Sequence, residues 1–245
     1  MGIKNSIYQN ILKSISSNYP LLAVLIDPDK FPIENTEAFI QKVNKSVATH
    51  IFVGGSLVEK HATDQLVEAI KIKTSIPVVI FPGDLTQISG KADALLFLSL
   101  ISGRNPDYLI GKHVEAISVL RKKELEVIST GYILIENGKT TAVERVTKTK
   151  PIPRSNIQNI VDTAKAGAYL GMKLMYLEAG SGAKHPISVK IIQAVKKELN
   201  LPLIVGGGIK TKQQLEMAYN AGANMVVIGT ALEDDESFFE DLKKE

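Results

Sequence analysis

The chain reads Tyr176-Leu177-Glu178-Ala179-Gly180-Ser181-Gly182 at a point where an apolar, strand-like run gives way to a helix-like run. Two later turns, Gly206-Gly207-Gly208 and Gly229-Thr230, stand at junctions of the same kind. Glycine lets a backbone approach a ligand closely, and a following helix offers unpaired N–H groups and the positive end of its dipole. The three turns therefore predict a phosphate pocket, with Glu178 at its edge as a proton acceptor.

These junctions belong to a longer alternation of short β-branched runs and amphipathic runs, which is typical of repeated β-α units and a parallel sheet. The predicted strands are Leu21–Ile26, His50–Val53, Pro77–Phe81, Ala94–Leu98, Glu126–Ile135, Lys173–Glu178, Pro202–Val205 and Met225–Ile228. The predicted helices are Ser6–Ser17, Thr36–Ser46, Val58–Lys73, Pro106–Lys123, Asn156–Leu170, Ile187–Leu199, Thr211–Asn220 and Asp234–Lys243. Eight strands in 245 residues favour a (β/α)8 TIM barrel, formed by residues 1–245 as a single domain, over an open doubly wound sheet.

Two segments depart from this alternation. Only twelve residues, Pro82 to Asp93, separate two of the predicted strands, which is too few for two loops and a helix. We therefore expect the third helix of the barrel to be missing, which would leave a gap in the outer ring and a groove into the barrel mouth. The second segment, Asn137–Ser155, is long, basic and contains two prolines. A connection of that length predicts a lid or binding loop.

Composition excludes several classes of function. A hydrophobic content of 44% with 22% charged residues is that of an ordinary globular protein, and a net charge of +3 is too small to indicate a nucleic-acid partner. The chain has no cysteine, which rules out disulfides, thiolate metal sites and cysteine nucleophiles. No apolar run is long enough for a transmembrane helix, and the N-terminus lacks a hydrophobic signal core. We expect a cytoplasmic protein.

In a barrel of this kind the active site is built from the residues that follow the carboxyl ends of the strands. Asp27 ends the first strand and is the better candidate for a Mg²⁺ ligand, because Asp29 is equally well explained as a solvated turn residue. Ser56 follows two glycines after the second strand, where its hydroxyl could serve a ligand or cap a helix. Arg104 follows the fourth strand, where it could meet a phosphate or serve a turn.

Strand six carries Tyr176 and Glu178, which are two residues apart and therefore point to the same side of the strand. A carboxylate on the inward side of an apolar barrel is costly unless it has a function or a partner. The alternative to a functional Glu178 is an ion pair with Lys173 or Lys184. The four histidines lack the spacing of metal ligands and are interpreted as structural or surface residues; they are His50, His61, His113 and His185.

Taken together, these motifs resemble those of the geranylgeranylglyceryl phosphate synthases over nearly the whole chain. The resemblance rests on five segments: Leu25–Lys30, Val53–Ser56, Tyr176–Gly182, Val205–Ile209 and Ile228–Thr230. Members of that family are Mg²⁺-dependent prenyltransferases, commonly homo-oligomeric, on a modified barrel that lacks its third helix. They join the 3-hydroxyl of sn-glycerol 1-phosphate to a polyprenyl diphosphate, and we expect geranylgeranyl diphosphate here.

The resemblance also implies roles for individual residues. It implies Mg²⁺ at Asp27 and Ser56, and Glu178 is the hypothesised acceptor of the hydroxyl proton. The residues it implies for glycerol phosphate binding are Tyr176, Leu177, Glu178, Ala179, Gly180, Ser181, Gly182, Gly207, Gly208, Gly229 and Thr230. The basic residues Lys139, Arg145, Lys148, Lys150 and Arg154 either close over the diphosphate or form a solvated loop.

Two other functions are compatible with the same residues. A phosphosugar isomerase on this scaffold would need an acid–base pair around a carbonyl, for which Asp27 and Lys30 are candidates. A barrel that binds phosphorylated ligands as a scaffold would bind phosphate without turnover. Dependence of activity on Mg²⁺ and on an allylic diphosphate separates these alternatives from the prenyltransferase.

Overall fold

Eight parallel strands close into a barrel, in which each strand pairs with the next along the chain and the last pairs with the first. A computed structural model describes residues 6–55, 58–59 and 61–244. The strands are β1 (Leu21–Ile26), β2 (His50–Val53), β3 (Val78–Ile80), β4 (Ala94–Leu100), β5 (Glu126–Leu134), β6 (Leu174–Glu178), β7 (Leu203–Gly206) and β8 (Met225–Ile228). The predicted barrel is confirmed, and every predicted strand ends within two residues of its observed end.

Helices cover this barrel around its outside and at its amino-terminal end. They are α1 (Ile7–Ser16), α2 (Thr36–Lys45), α3 (Ala62–Lys71), α4 (Lys112–Leu120), α5 (Ala142–Thr147), α6 (Ile157–Tyr169), α7 (Val189–Glu198), α8 (Lys212–Asn220), α9 (Thr230–Asp234) and α10 (Phe238–Asp241). A π-helical turn, Asp107–Gly111, leads into α4. Within the described part of the chain, no helix is long and apolar enough to cross a membrane.

The strands alternate between two apolar layers, because successive side chains point to opposite faces of a strand. In β6, Leu174 and Tyr176 face the barrel interior, where they pack with residues such as Phe52 and Tyr132. Met175 and Leu177 face outward and pack against the helices. Burial on both faces explains why the strands read as nearly continuous apolar runs.

Helix α1 closes the amino-terminal end of the barrel. Its Ile7 and Ile11 belong to the same buried cluster as the barrel interior. The carboxylate of Glu126, the first residue of β5, accepts hydrogen bonds from the Ser6 hydroxyl at 2.6 Å and from the backbone N–H groups of Ile7 and Tyr8. This carboxylate satisfies donors that the start of a helix leaves without partners, and it fixes α1 on the barrel.

The third β-α unit has no α-helix between Phe81 and Asp93, all of whose residues the structure describes, and the prediction of a missing helix is confirmed. A single 3₁₀ turn, Leu85–Gln87, stands in its place. Gln87 is fully buried there. Its amide group donates to the Gly55 carbonyl at 2.8 Å and accepts from the N–H of Gly55 and of Gly83, which ties this segment to the loop after β2.

One loop prediction and two helix predictions differ from the structure. The segment expected to be a long loop, Asn137–Ser155, contains α5, whose capping box is formed by Thr141 and Glu144. The last predicted helix, Asp234–Lys243, is instead divided between α9 and α10, and α9 begins at Thr230. Helix α3 begins four residues later than predicted, at Ala62.

Candidate active site

A cavity of about 590 Å³ opens at the carboxyl end of the barrel. Its polar part is lined by the residues that follow β1, β6, β7 and β8. Its apolar part extends past β4 towards α4 and the segment that replaces the missing helix. One cavity therefore contains the candidate phosphate turns, both candidate acidic residues and an apolar groove.

The glycine turns meet in the polar part of this cavity. The residues of these turns that line it are Gly180, Ser181, Gly182, Gly207, Gly208, Gly229 and Thr230. The hydroxyls of Ser181 and Thr230 lie 2.9 Å apart, so the first and last turns touch. Backbone N–H groups, hydroxyls and the ammonium group of nearby Lys210 provide donors suited to a phosphate.

The sequence predicts that a helix begins directly after each glycine turn, and the structure differs from this prediction at two of the three turns. Helix α7 begins at Val189 and α8 at Lys212, several residues after the glycines, and only α9 begins directly after its turn. The expected contribution of two helix dipoles is therefore wrong. Left-handed glycine conformations shape the turns instead, and Gly207, with a φ of +87°, lies directly against Glu178.

Glu178 is buried at the floor of the polar part, 6% exposed. Burial raises the pKa of its carboxyl to about 7, although the Gly180 N–H group and the hydroxyls of Tyr176 and Tyr132 act in the opposite direction. Its hydrogen-bond donor is the backbone of Gly180. The alternative of an ion pair with Lys173 or Lys184 is wrong, because the ion pairs of the described residues do not include Glu178.

Tyr176 lies beside Glu178 on the inward face of β6, and its side chain is fully buried. Its hydroxyl makes no hydrogen bond of normal geometry within the described residues, although it lies close enough to affect the pKa of Glu178. Unpaired buried hydroxyls are costly, so a ligand oxygen in the cavity is the natural partner. Leu177 and Ala179 differ, because their buried side chains belong to the outer layer and do not line the cavity.

Asp27 lies across the cavity mouth from these turns. Its carboxylate contacts the Lys30 ammonium group at 3.0 Å and accepts from the Asp29 N–H at 3.2 Å. Burial acts to lower the pKa of Lys30, but Asp27 and the nearby Glu233 and Asp29 raise it overall. Burial also raises the pKa of Glu233, whose carboxylate accepts from the Asp27 N–H. This corner of the cavity therefore carries three carboxyl groups and one ammonium group.

Asp27 is the described candidate for a Mg²⁺ ligand, and Gly55 makes room for its carboxylate. A Cβ atom on Gly55 would lie 2.3 Å from Asp27 Oδ1, so the glycine leaves the room that this carboxylate occupies. No cluster of three or more His, Asp or Glu side chains within the described ranges could hold a metal by itself. One carboxylate completed by phosphate oxygens of a substrate is a usual Mg²⁺ arrangement. Ser56, the other candidate ligand, lies outside the described residues.

The apolar part of the cavity lies beside the missing helix. It is lined by Leu85, Ile88, Phe97, Leu98, Tyr108, His113 and Ala116. The His113 ring packs edge-on against Phe97, with the ring centroids 4.4 Å apart, and burial lowers its pKa. This apolar part of the cavity adjoins the segment that replaces the missing helix between β3 and β4.

The basic segment contributes only in part to the cavity. Lys139 and Arg145 line it, together with Val143 and Val146 of α5. A Cβ atom on Gly182 would lie 2.9 Å from the Lys139 ammonium group, which places this cation at the phosphate turns. Lys148, Lys150 and Arg154 do not line the cavity. Two of the five cations therefore border the cavity, and closure of the segment over a diphosphate stays a prediction.

Sequence similarity identifies the family of this chain. The sequence pattern of the PcrB family matches residues 17–245. The chain belongs to the PcrB family. A geranylgeranylglyceryl phosphate synthase of Flavobacterium johnsoniae is 55% identical to it over 97% of this chain and 98% of the relative. A relative of the same name from Pyrococcus abyssi is 40% identical over 96% of this chain and 92% of its own.

The structure also resembles solved geranylgeranylglyceryl phosphate synthases. The (S)-3-O-geranylgeranylglyceryl phosphate synthase of Thermoplasma acidophilum, solved in complex with its substrate sn-glycerol-1-phosphate, superposes with a TM-score of 0.90. It is 34% identical, and the match covers 97% of this chain and 95% of that one. The corresponding enzyme of Thermoplasma volcanium gives a TM-score of 0.89 at 32% identity.

Several contacts in this PcrB protein could not be found from its sequence alone. Tyr132 pairs in register with Tyr176 across β5 and β6, which brings its hydroxyl to Glu178. The sequence signal for Tyr132 is that every second side chain of β5 faces the barrel interior. This signal becomes useful only once the order of the strands in the barrel is known. No comparable sequence signal indicates that His113 and Tyr108 line the cavity. Arg104, a candidate for phosphate, donates to the carbonyls of Ile101 and Gly103 and does not line the cavity.

Proposed function

We propose that this chain is a prenyltransferase that joins the 3-hydroxyl of sn-glycerol 1-phosphate to a polyprenyl diphosphate, most simply geranylgeranyl diphosphate, and releases diphosphate. The names of the PcrB relatives and the substrate bound in the Thermoplasma acidophilum enzyme support this function. In the reaction the C1–O bond of the prenyl diphosphate breaks, its electron pair leaves with diphosphate, and the glycerol oxygen bonds to C1.

One observation carries the proposal. A single cavity connects phosphate-binding turns beside a buried carboxyl group to an apolar groove in the wall of the barrel. A glycerol phosphate needs only the first part, and a polyprenyl chain needs the second. A phosphosugar isomerase would leave the apolar groove without a ligand.

Glu178 has the position and the pKa of the proton acceptor. Glycerol phosphate held with its phosphate in the turns extends from Gly180 and Gly207 towards this carboxyl, which both turns contact. A pKa of about 7 makes Glu178 a much better base near neutral pH than an exposed glutamate. The Gly180 N–H group holds the carboxyl in place, and the hydroxyl proton passes to it.

Asp27 is the described residue that would hold Mg²⁺, with Ser56 as a second proposed ligand. When bound, the metal neutralises the charge that develops on the departing diphosphate. Lys30 contacts Asp27 and adds a positive charge on the same side of the cavity. Lys139 and Arg145, which also line the cavity, add two more positive charges.

We also propose that the protein works in the cytoplasm as a homo-oligomer. Light scattering would measure the size of this oligomer.

Product analysis tests the proposed function. Purified protein is incubated with sn-glycerol 1-phosphate, Mg²⁺ and prenyl diphosphates of graded length, and products are identified by mass. We expect one ether product per accepted prenyl diphosphate, and none when chelator removes the metal. The enantiomeric sn-glycerol 3-phosphate is the matched control substrate. Failure to condense any of the prenyl diphosphates would overturn the proposal.

The role of Glu178 is tested by Glu178→Gln. This change keeps the size and removes the base, so we expect turnover to fall by about 10²- to 10⁴-fold while affinity for glycerol phosphate is kept. Wild-type turnover should rise as pH increases through about 7, because the acceptor must be ionised. Initial rates across pH and calorimetric binding measure both effects. Unchanged turnover in the variant would remove Glu178 from the mechanism.

A further inference from the structure

Arg154 binds three backbone carbonyl groups of two different loops. Its Nη2 atom donates to the Pro186 carbonyl at 2.7 Å, and its Nη1 atom donates to the His185 and Glu136 carbonyls, each at 3.2 Å. These acceptors lie after β6 and after β5, the two strands that carry Glu178 and Tyr132. One guanidinium group thus joins two loops at the barrel mouth without reaching the cavity.

Arg154 itself is anchored to the barrel. The nearby Ile152 forms a bridge with Ile135, and its backbone donates to the Leu134 carbonyl at 2.9 Å and accepts from the Glu136 N–H at 3.0 Å. The guanidinium therefore starts from a fixed position at the end of β5. A planar group with several donors in a rigid fork is suited to fix several acceptors at once, which an ammonium group is not.

The loop that Arg154 binds packs against a phosphate turn. A Cβ atom on Gly208 would lie 3.0 Å from the Pro186 backbone nitrogen and 3.2 Å from the Ala183 Cβ atom. The Ala183 N–H in turn donates to the Gly180 carbonyl at 3.1 Å. Residues 183–186 therefore connect the turn after β6 with the turn after β7, and both turns line the cavity.

We propose that Arg154 is a positioning residue for phosphate binding. By holding the carbonyls of His185 and Pro186, it fixes residues 183–186 against Gly208 and sets the separation of the two glycine turns. A phosphate bound between the turns needs that separation, since small displacements of binding groups weaken recognition strongly. The prenyl diphosphate, held at the other side of the cavity, does not depend on it. This inference rests on the proposed function for the identity of the phosphate ester.

The test compares Arg154→Ala with Arg104→Ala. Arg104 is the matched control, because its guanidinium also donates to backbone carbonyls, those of Ile101 and Gly103, and these residues do not line the cavity. Calorimetry measures binding of sn-glycerol 1-phosphate and of inorganic phosphate to each full-length protein. Steady-state kinetics give KM for each substrate, and thermal unfolding gives Tm.

We expect Arg154→Ala to weaken binding of both phosphate ligands by about tenfold, with an unchanged KM for the prenyl diphosphate. Arg154→Lys should recover little of this affinity, because one ammonium group cannot replace the fork. Arg104→Ala should leave both affinities unchanged. A purely structural Arg154 would lower Tm in its variant and leave the affinity of the folded fraction as in wild type, and that result would overturn the inference.

Failure of the proposed function would give a different result. A wild-type protein that binds inorganic phosphate but not glycerol 1-phosphate would contradict the proposed substrate, while the effect of Arg154→Ala would still be read on inorganic phosphate. Equal phosphate affinity of wild type and Arg154→Ala would overturn the role of Arg154, whatever the protein catalyses.

Discussion

The buried carboxyl of Glu178 lowers the stability of the folded protein near neutral pH. Its pKa is about 7 in the folded protein against 4.5 in an unfolded chain, so the folded state holds its proton more tightly. Stability from this group is therefore fully present below pH 4.5 and is lost as pH rises towards about 7. The difference in pKa corresponds to about 3 kcal/mol.

Glu178→Gln should remove this pH dependence, because the amide does not ionise. We expect the variant to be more stable than wild type above about pH 7, by up to about 3 kcal/mol, and nearly equal to it below pH 4.5. Urea unfolding at a series of pH values measures the difference. A constant difference at all pH values would mean that the carboxyl is not perturbed as described.

Two glycines with the same φ angle differ in what surrounds them, which allows backbone strain and side-chain contact to be tested separately. Gly207 and Gly171 both have a φ of +87°, a left-handed value at which alanine is strained. A Cβ atom on Gly207 would lie 2.5 Å from Glu178 Oε1, whereas nothing lies within 4 Å of one on Gly171. We expect both alanine variants to lose about 1 kcal/mol or more of stability, but only Gly207→Ala to lose activity.

Initial rates on each folded variant measure this effect, at the temperature where both remain native. Comparable activity of Gly207→Ala and Gly171→Ala would show that the Gly207 turn does not need its contact with Glu178.

The sequence predicts the residues of this turn but not their contact. The glycine turns and Glu178 could be predicted from the sequence because they lie at the ends of strands. The contact between Gly207 and Glu178 could not, because it depends on the pairing of β6 with β7.

Helix α1 is attached to the end of the barrel opposite the cavity. Effects on stability can therefore be measured there separately from effects on activity. Glu126 accepts three hydrogen bonds from the start of this helix. Glu126→Gln removes the charge, and we expect a loss of about 1 to 3 kcal/mol in the free energy of unfolding. Turnover at a temperature where the protein is folded should be unchanged, since α1 lies at the end of the barrel opposite the cavity.

Thermal unfolding and initial rates of the same samples check this expectation. As a control, Glu240→Gln removes an exposed carboxylate that pairs with Lys243, and we expect almost no change in stability. A Glu126→Gln variant with the Tm of wild type would show that α1 is held by its apolar contacts alone.

The helices show where sequence patterns stop being informative. Eight strands were predictable because burial on both faces makes them apolar runs, and the short link before β4 left no room for a helix. Helix α5 was missed, although Thr141 and Glu144 have the spacing of a capping box. A six-residue helix has little stability by itself, and α5 depends on tertiary contacts such as the Asn105 amide donating to the Thr147 carbonyl.

In the barrel as a whole, the apolar part of the cavity lies beside the position of the missing third helix. A complete outer ring would close the wall between β3 and β4, whereas the 3₁₀ turn at Leu85–Gln87 leaves it open to the cavity. Gln87 compensates by tying this thin wall to the loop after β2. The two ends of the cavity are therefore built by different parts of the fold, and their ligand preferences should change independently.

This independence predicts the effect of Ala116→Leu. Ala116 is a buried residue of α4 that lines the apolar part of the cavity. Added side-chain volume there should shorten the groove, so we expect the preference to shift towards shorter prenyl diphosphates while affinity for glycerol phosphate is unchanged. Ala164→Leu is the matched control, because Ala164 is equally buried on α6 but does not border the cavity.

Both leucine variants should lose about 1 to 3 kcal/mol through overpacking, so stability alone cannot explain a difference between them. Competition among prenyl diphosphates of graded length, read by product mass, measures the preference. A shift in Ala116→Leu but not in Ala164→Leu would place the prenyl chain against α4. The same product lengths from both variants would mean that the chain leaves the cavity by another path, since a groove narrowed at Ala116 must exclude the longest substrates first.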